Sequence, residues 1–421
     1  MSTYIKYNLL SSGEVEPIIL ESDFYVNSST DIEYLEQQIN LNHVTPRFRI
    51  YVLHADETIN YEIPSENIKA GGSYSENYQN GQRRSLSFTL WNENKQYSPN
   101  IDTLWAGTRL RFDIGITVGV ETLWFVKGYF IITKASPSLT PSGKEVAISA
   151  SDKFALFDGT LGRLADTYEI TEGTDIREVI ENIKTLELGD GSIRDTKPIF
   201  YHEKFENKTV QVSIVKNAGE TFSDILLELA TQLSAEIFYS ATGNLTIVPI
   251  TDVTQDKNKS VLYSFNDTDG DMSQLNFDYD YNSIINRVVV LGNSQNGGVY
   301  RGVAVNNDER SPLCYQRIGY RTDNIINDSN IYSDILAGER AEYELRQKLI
   351  LKSSVSFSVL FNPFLTVNNL ISINSEFYNL VNEKFLIQSI SFGLDFSGQM
   401  NLTISNIQNL ATNIEVKHGF Q

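Results

Sequence analysis

The stretch from Thr221 to Ile250, TFSDILLELATQLSAEIFYSATGNLTIVPI, leaves few ways to fold. Thr221 is a residue type that caps helices, and Phe222, Ile225, Leu226, Leu229 and Leu233 follow it at helical spacing. One face of the predicted helix is therefore apolar and must be covered. After Ser234 the period changes: residues 236–239 and 245–248 are short alternating runs joined through Ala241, Thr242, Gly243 and Asn244, the pattern of a hairpin. The spacing predicts a compact α/β unit in mid-chain.

Upstream of it the text is strand-like. RFRIYVLH from Arg47, SLSFTLWN (85–92), TRLRFDIGI (108–116), LWFVKGYFIITKA (123–135) and KEVAISASD (144–152) each alternate and are bounded by Gly, Asn, Pro or Ser. Short strands at such intervals indicate a barrel or sandwich, with Phe88, Leu90, Leu110, Phe112, Ile114, Trp124 and Val126 facing inward. Residues 1–46 carry strand-like pieces (Tyr4–Leu10, Ile18–Val26) and the polar stretch STDIEYLEQQIN, and read as an arm. Between the strands and the α/β centre, DIREVIENIK after Thr174 places Ile176, Val179, Ile180 and Ile183 on one helical face.

Downstream, VLYSFND opens a second β-rich region. NRVVVLGNS (286–294) and GGVYRGVAVNND (297–308) flank a Gly-rich turn. Ser333 caps DILAGERAEYELRQKLI, in which Ala337, Ala341, Leu345 and Leu349 lie four apart and Glu339 and Glu344 stand near Arg340, Arg346 and Lys348. VSFSVLF, LISINSEFYNLV, KFLIQSISFGLDF and QMNLTISNI read as strands, the last two joined through Ser397 and Gly398. The expected fold class is mainly β with α+β: two β-barrel-like domains around a small α/β domain, plus one long helix. The expected domains are an arm (1–46), a first barrel (47–165), the α/β domain (166–256) and a second barrel (257–421) with its helix at 333–350.

The 53 acidic against 34 basic residues, a net charge of −19, argue against a surface built to embrace nucleic acid, which needs clustered Lys and Arg. Cys314 is the single cysteine, so neither an internal disulfide nor a thiolate zinc cluster is expected. The start of the chain lacks the apolar core of a signal peptide, and no run approaches a membrane span. Synthesis in a reducing cytoplasm and no membrane partner are the expectations.

Candidate chemistry is sparse. Asp267, Asp269 and Asp271 alternate around Gly270 like the start of a calcium loop, but Met272 and Asp278 stand where such a loop needs Gly and Glu. Calcium and a solvated turn both stay open here. His43, His54, His202 and His418 are scattered without ligand spacing, and no Ser lies in a nucleophile elbow. The residues offer no catalytic, cofactor or metal assignment. Trp91, Trp105 and Trp124 all lie in the first β-body, where core packing competes with sugar stacking or an interface. Arg83 and Arg84 beside Glu76 are read as interface ion pairs or as a solvated edge.

In order and kind these pieces resemble the baseplate hub of contractile-tailed phages and the N-terminal part of siphophage tail-associated proteins. The resemblance rests on RRSLSFTLWN, LWAGTRLRFDIGI, the G-Y-F-I-I-T run at 128–133 and SASDKFALFDG; on TFSDILLELATQLSAEIFYSATGNLTIVP; and on NRVVVLGNS, IGYRTDNIINDSNIYSDILAGERAEYELRQK, PFLTVNNLISI and KFLIQSISFGLDFSGQMNLTI. It covers about 47–410 and consists of strand and turn patterns rather than catalytic signatures. Asn368 and Asn369 stand where many relatives carry a Gly-Asp pair.

The resemblance implies a homotrimer whose paired barrels make a six-unit ring, joining the tail tube or distal tail protein to a central spike or tail-tip lysin. Tape-measure protein and DNA would pass through its channel, with no specific DNA binding, and acidic side chains would line it. It implies a virion protein assembled in the host bacterial cytoplasm, without enzymatic activity or cofactor; the chain leaves no room for an appended lytic domain. The other classes are a glycan-binding adhesin, expected to show an exposed aromatic cluster in a groove, and a polysaccharide-acting enzyme, expected to show two carboxylates across a cleft.

Overall fold

The computed structural model describes residues 3–5, 18–20, 46–98, 104–118, 121–141, 143–186, 194–233, 235–249, 261–268, 272–277, 284–295, 298–328, 331–350, 354–395, 398–406 and 413–419. Contacts divide the chain into two compact units, neither of them continuous in sequence. The first comprises Met1–Ile250, Val359–Val367 and Ser389–Asn401; the second comprises Thr251–Ser358, Asn368–Gln388 and Leu402–Gln421.

In the first unit the strands are β1 (Thr3–Ile5), β2 (Ile18–Leu20), β3 (Pro46–Leu53), β4 (Ile59–Glu62), β5 (Ile68–Asn77), β6 (Arg84–Trp91), β7 (Arg109–Val118), β8 (Glu121–Thr140) and β9 (Gly143–Asp152). β1 pairs with β2, and Leu20 of β2 partners Phe125. STDIEYLEQQIN and most of the expected arm lie outside the described residues. From β5 the order is β5-β6-β9-β8-β7-β3-β4, all antiparallel. Every residue expected to face inward from this sheet is buried. Alternation works here because successive side chains of a strand point to opposite faces, so one face can be wholly apolar.

β5, with the text IKAGGSYSEN, carries no such alternation, yet it lies inside the sheet. Gly72 makes its passage possible: a Cβ there would sit 2.4 Å from the Ser87 carbonyl oxygen of β6, and the β5–β6 register shifts between Lys69 and Ser73.

The small α/β part of this unit contains β10 (Tyr168–Ile170), α1 (Ile176–Thr185), β11 (Phe200–Tyr201), β12 (Ile214–Lys216), α2 (Phe222–Leu233), β13 (Ala235–Tyr239) and β14 (Leu245–Pro249). Asp175, expected inside α1, is instead its cap, accepting from the Arg177 and Glu178 amides. Thr221 and Asp224 form a capping box at α2: the Thr221 amide donates to Asp224 Oδ2 (2.8 Å) and the Asp224 amide to Thr221 Oγ1 (3.2 Å). The α2 face packs Phe222, Ile225, Leu226 and Leu229 into one core with Ile176, Val179, Ile180 and Ile183 of α1 and with the β13–β14 hairpin. α1 and α2 thus bury their apolar faces in one shared core, as the periodicity requires.

The second unit holds β15 (Tyr263–Asn266), β16 (Met272–Phe277), β17 (Arg287–Gln295), β18 (Gly298–Asn306), the single turn α3 (Tyr315–Ile318), β19 (Ile326–Asn327), α4 (Asp334–Ile350) and β24 (Ile414–His418), with β21 (Leu370–Ser375). Strands β20 (Ser354–Leu360), β22 (Leu380–Leu394) and β23 (Gln399–Asn406) contribute residues to both units. One sheet runs β16-β20-β23-β22-β21-β15.

LISINSEFYNLV, expected as one strand, is two: β21 ends at Ser375 and the chain turns through Glu376–Asn379 into β22, with Asn379 left-handed at φ 52°. Before β21, Asn368 adopts φ 69°, so it supplies the left-handed turn that Gly would otherwise make.

The β17–β18 hairpin does not extend that sheet. It forms its own, β19-β17-β18-β24. Ser333 Oγ caps α4 by accepting from the Leu336 amide (3.1 Å), and Ala337, Ala341, Leu345 and Leu349 are the buried stripe. α4 packs on this sheet at backbone contact: a Cβ on Gly302 would lie 2.1 Å from the Ala337 carbonyl carbon. On the outer face of α4, Arg340 pairs with Glu344 (2.8 Å) and Arg346 with Glu342 (2.6 Å), while Lys348 pairs with Asp323. Among the described residues no helix is long and apolar enough to cross a membrane.

Candidate functional site

The densest polar constellation is an ionic cluster inside the first unit, where the barrel-like sheet meets the α/β part. It begins with a turn. Between β3 and β4, Asp56 accepts from the Thr58 amide (3.0 Å) and hydroxyl (2.6 Å), bonds that hold its carboxyl below the ordinary carboxylate value. The next residue, Glu57, takes φ 65°, a left-handed conformation that is unfavourable for a residue with a Cβ.

Its carboxylate is buried among three cations. Oε1 lies 3.1 Å from Arg109 Nη1 at the start of β7 and 2.6 Å from Lys153 Nζ just after β9; Oε2 lies 3.3 Å from Lys197 Nζ.

Lys153 also reaches Asp195 Oδ1 (2.7 Å) and donates to the Gly243 carbonyl (2.9 Å). The turn between β13 and β14 thus presents backbone oxygens to the cluster, since Lys197 donates to the Thr242 carbonyl at 2.6 Å and stands 3.5 Å from the Tyr129 ring centroid. Asp195 Oδ2 accepts from the Tyr239 hydroxyl (2.7 Å), and the Arg194 carbonyl accepts from Arg109 Nη2 (2.7 Å).

Burial pushes the Lys153 ammonium below its ordinary pKa, against the pull of Asp195 and Glu57. Burial pushes Asp195 upward, but Lys153 and the bonds from Tyr239 and the Lys197 amide outweigh it and leave the carboxyl lowered. Burial and the adjacent Asp195 raise Tyr239 well above the usual phenol range.

A second node adjoins it. Arg83 and Arg84, read from the sequence as interface pairs or a solvated edge, are neither: both are buried within this unit. Arg83 Nη2 lies 2.7 Å from Glu236 of β13 and its guanidinium covers the Phe238 ring at 3.4 Å. Arg84 Nη2 lies 2.7 Å from Glu76 and Nη1 donates to the Tyr239 carbonyl (2.5 Å). Asp152 Oδ2 accepts from both arginine amides, at 2.7 and 2.9 Å, and Oδ1 accepts from the Phe154 amide at 3.0 Å. Burial nevertheless raises the Asp152 carboxyl to about 6.

A lysine of lowered pKa, a carboxylate and a tyrosine could serve acid–base chemistry in an open cleft. The side chains of Lys153 and Asp195 are 1% and 0% exposed, and their polar atoms are engaged by the protein itself. What the arrangement does is fasten β6, β7 and β9 to the β13–β14 hairpin by charge-assisted bonds.

The residues singled out in the sequence do not come together. Asp267 accepts from Ser375 Oγ (2.7 Å) and the Glu376 amide (3.0 Å), bracing the turn after β21; Asp269, Asp271 and Asp278 lie outside the described residues. Among the described residues no three His, Cys, Asp or Glu side chains gather as metal ligands. His202 caps a short helical turn through the Lys204 amide, His418 Nδ1 lies 3.0 Å from the Asp334 carbonyl, His54 is in the Glu57 turn, and His43 is not among the described residues. Trp124 is buried beneath Arg49, whose guanidinium is 3.6 Å from its ring centroid, whereas Trp105 is exposed.

The surface carries several exposed large apolar side chains. In the first unit, edge strand β4 exposes all four side chains, Ile59 and Tyr61 among them. In the second, the β21–β22 turn exposes Phe377 (84%), the start of β22 exposes Val381 (75%), and α4 exposes Ile335 (64%).

Residues 310–410 match a family described as "Domain of unknown function (DUF5048)". No curated protein matches the sequence. Solved structures do match the fold. The 43 kDa tail protein of prophage MuSo2 from Shewanella oneidensis superposes with a TM-score of 0.53 at 15% identity, over 86% of this chain and 99% of that one. The tail protein from Neisseria meningitidis MC58 gives 0.55 at 11% identity, over 86% and 99%. A Francisella PdpA–VgrG complex gives 0.52 at 10% identity, over 92% of this chain and 62% of that one. The chain therefore shares the mainly β fold of these two tail proteins, matched over 86% of its own length and 99% of theirs.

Proposed function

We propose that this chain is a structural hub of a phage tail baseplate or tail tip. Three copies form a ring that joins the tail tube or distal tail protein to a central spike or tail-tip lysin, and tape-measure protein and DNA pass through it. The observation that carries the reading is the extent of the fold match: it spans 99% of the length of two phage tail proteins.

Two features support it further. The buried ionic cluster stiffens the first unit, which suits a part that bears load. The exposed apolar side chains of β4, the β21–β22 turn and α4 suit a chain that is covered by neighbours. In this reading the hub is not an enzyme. Its carboxylates line the channel, so passing DNA is repelled rather than held.

Light scattering of the purified chain over a range of concentrations tests the assembly. The expected particle has three times the chain mass, with a central channel in negative-stain images. A monomer at every concentration, alone and with tail-tube protein added, overturns the ring.

A further inference from the structure

Outside the ionic cluster, the α/β part of the first unit has a cleft of about 510 Å³ between the start of α1 and residues 199–207. Its lining includes Asp175, Arg177, Phe200, Tyr201, Glu206 and Asn207. That volume falls within the ordinary range for ligand sites, about 300–1,000 Å³. We infer that it is a binding site for a neutral oligosaccharide, a role separate from ring assembly.

Its chemistry selects the ligand class. Tyr201 has a buried hydroxyl with no hydrogen-bond partner, an arrangement proteins avoid unless something else supplies the bond. The Arg177 guanidinium lies 5.2 Å from the Tyr201 ring centroid, and Arg177 is itself exposed.

Asp175 uses Oδ1 to cap α1, accepting from the Arg177 amide at 2.8 Å and the Glu178 amide at 3.2 Å; Oδ2 takes no part in those bonds. Asn207 offers a donor and an acceptor on one side chain. The lining thus holds both donors and acceptors, which suits vicinal hydroxyls that both give and take hydrogen bonds. Phe200 and Tyr201 provide aromatic surface for the apolar C–H face of a sugar ring.

Charge excludes the commonest competitors. Asp175 and Glu206 line the cleft, and Asp175 and Glu181 both act electrostatically on Tyr201, against the single cation Arg177. Phosphate or a uronic acid would meet more like charge than opposite charge. A neutral sugar needs no counter-charge.

Saturation-transfer NMR on the full chain with maltotriose, chitotriose and galactobiose, and with trigalacturonate and inorganic phosphate as anionic controls, tests the site. At least one neutral sugar is expected to bind. Tyr201→Phe and Arg177→Ala are each expected to weaken it at least tenfold. Neither substitution should lower the melting temperature, because the hydroxyl has no partner in the fold and the arginine is exposed. Overturning results are binding of none of the neutral sugars, tighter binding of either anion, or affinities indifferent to both substitutions. Loss of binding that tracks a loss of melting temperature also overturns it, since the residues would then act through the fold.

Discussion

Phe48 and Phe392 stack with ring centroids 6.3 Å apart and planes within 8°, although their strands stand far apart in the first unit's order: Phe48 is on β3, next to last, and Phe392 is on β22, which pairs with β5 at the opposite end. The sheet has curled until its two ends share a core, which is what makes it barrel-like. Tyr74 lies 4.8 Å and Phe361 5.2 Å from the same Phe392 ring, and Phe112 lies 6.0 Å from Phe48. Phe392→Ala is expected to lower unfolding free energy by ~3–5 kcal/mol, the range for emptying a buried phenylalanine site. Urea unfolding followed by tryptophan fluorescence reads it; a loss under 1 kcal/mol would mean that the ends are not held by this stack.

Glu57→Gln tests the ionic cluster. Removing its charge takes a buried carboxylate from Arg109, Lys153 and Lys197, of which Lys153 keeps Asp195, and stranding buried charge costs ~3–5 kcal/mol. Glu57→Gly serves as the control, since it relieves the φ 65° backbone while removing the same carboxylate. Both are expected to be destabilised, the Gln variant more so; an unchanged urea midpoint in both would refute the cluster's structural role.

Asp152 gives a pH dependence with a definite sign. Its folded value of about 6 exceeds the ordinary 3.8, so protonation favours the folded state. That contribution is complete below about pH 3.8, shrinks as pH rises toward 6 and is gone at neutrality, a swing of ~3 kcal/mol. Asp152→Asn cannot titrate. The native chain's stability relative to this variant is therefore expected to fall by that amount between pH 4 and pH 7, and a flat difference, or one that grows, contradicts the assignment.

Gly302→Ala tests the seat of α4. The added methyl would lie 2.1–2.2 Å from the backbone of Ala337 and Gly338, where no side-chain rotation relieves it. Overpacking of this kind costs ~1–3 kcal/mol or more. Hydrogen exchange is the direct readout: the amides of α4 should lose protection before those of β6 and β9.

The exposed apolar turn gives the assembly prediction. Phe377→Asp with Val381→Asp should reduce the proposed trimer to smaller species in light scattering while leaving the melting temperature of the separated chain within 2 °C, as ~0.5 kcal/mol of surface change allows. An intact trimer would place this turn outside the ring contacts.

Sequence reading succeeds where one element carries its own signal. β3, β6, β7, β8 and β9 alternate, α2 has both cap and stripe, and α4 has Ser333 and four buried residues at regular spacing. It fails where the signal belongs to a partner. β5 is a strand because Gly72 lets it pass against β6, and nothing in IKAGGSYSEN announces that. The ionic cluster is less legible still: Glu57, Arg109, Lys153, Asp195 and Lys197 each look like surface charges, and only the topology shows that they share one buried volume. The Arg84–Glu76 pair is legible from the sequence, but the burial of Arg83 and Arg84 is not, since Glu236 and the Tyr239 carbonyl lie on a hairpin far along the chain. The Tyr201 cleft has no motif at all, only a hydroxyl whose missing partner becomes visible after folding.

The first unit draws strands from two distant parts of the chain, and this sets a schedule for its birth. β5 ends at Asn77, but the segment that completes its outer edge, Ser389–Leu394, is translated only near the end. At ~5–20 residues per second the ribosome needs tens of seconds to deliver it. Throughout that interval the nascent sheet presents an unpaired edge strand beside half of an aromatic core, the combination most open to wrong pairing with another nascent chain. Slow elongation therefore lengthens the vulnerable period, and a holding chaperone would be of most use to this protein before residue 389 emerges.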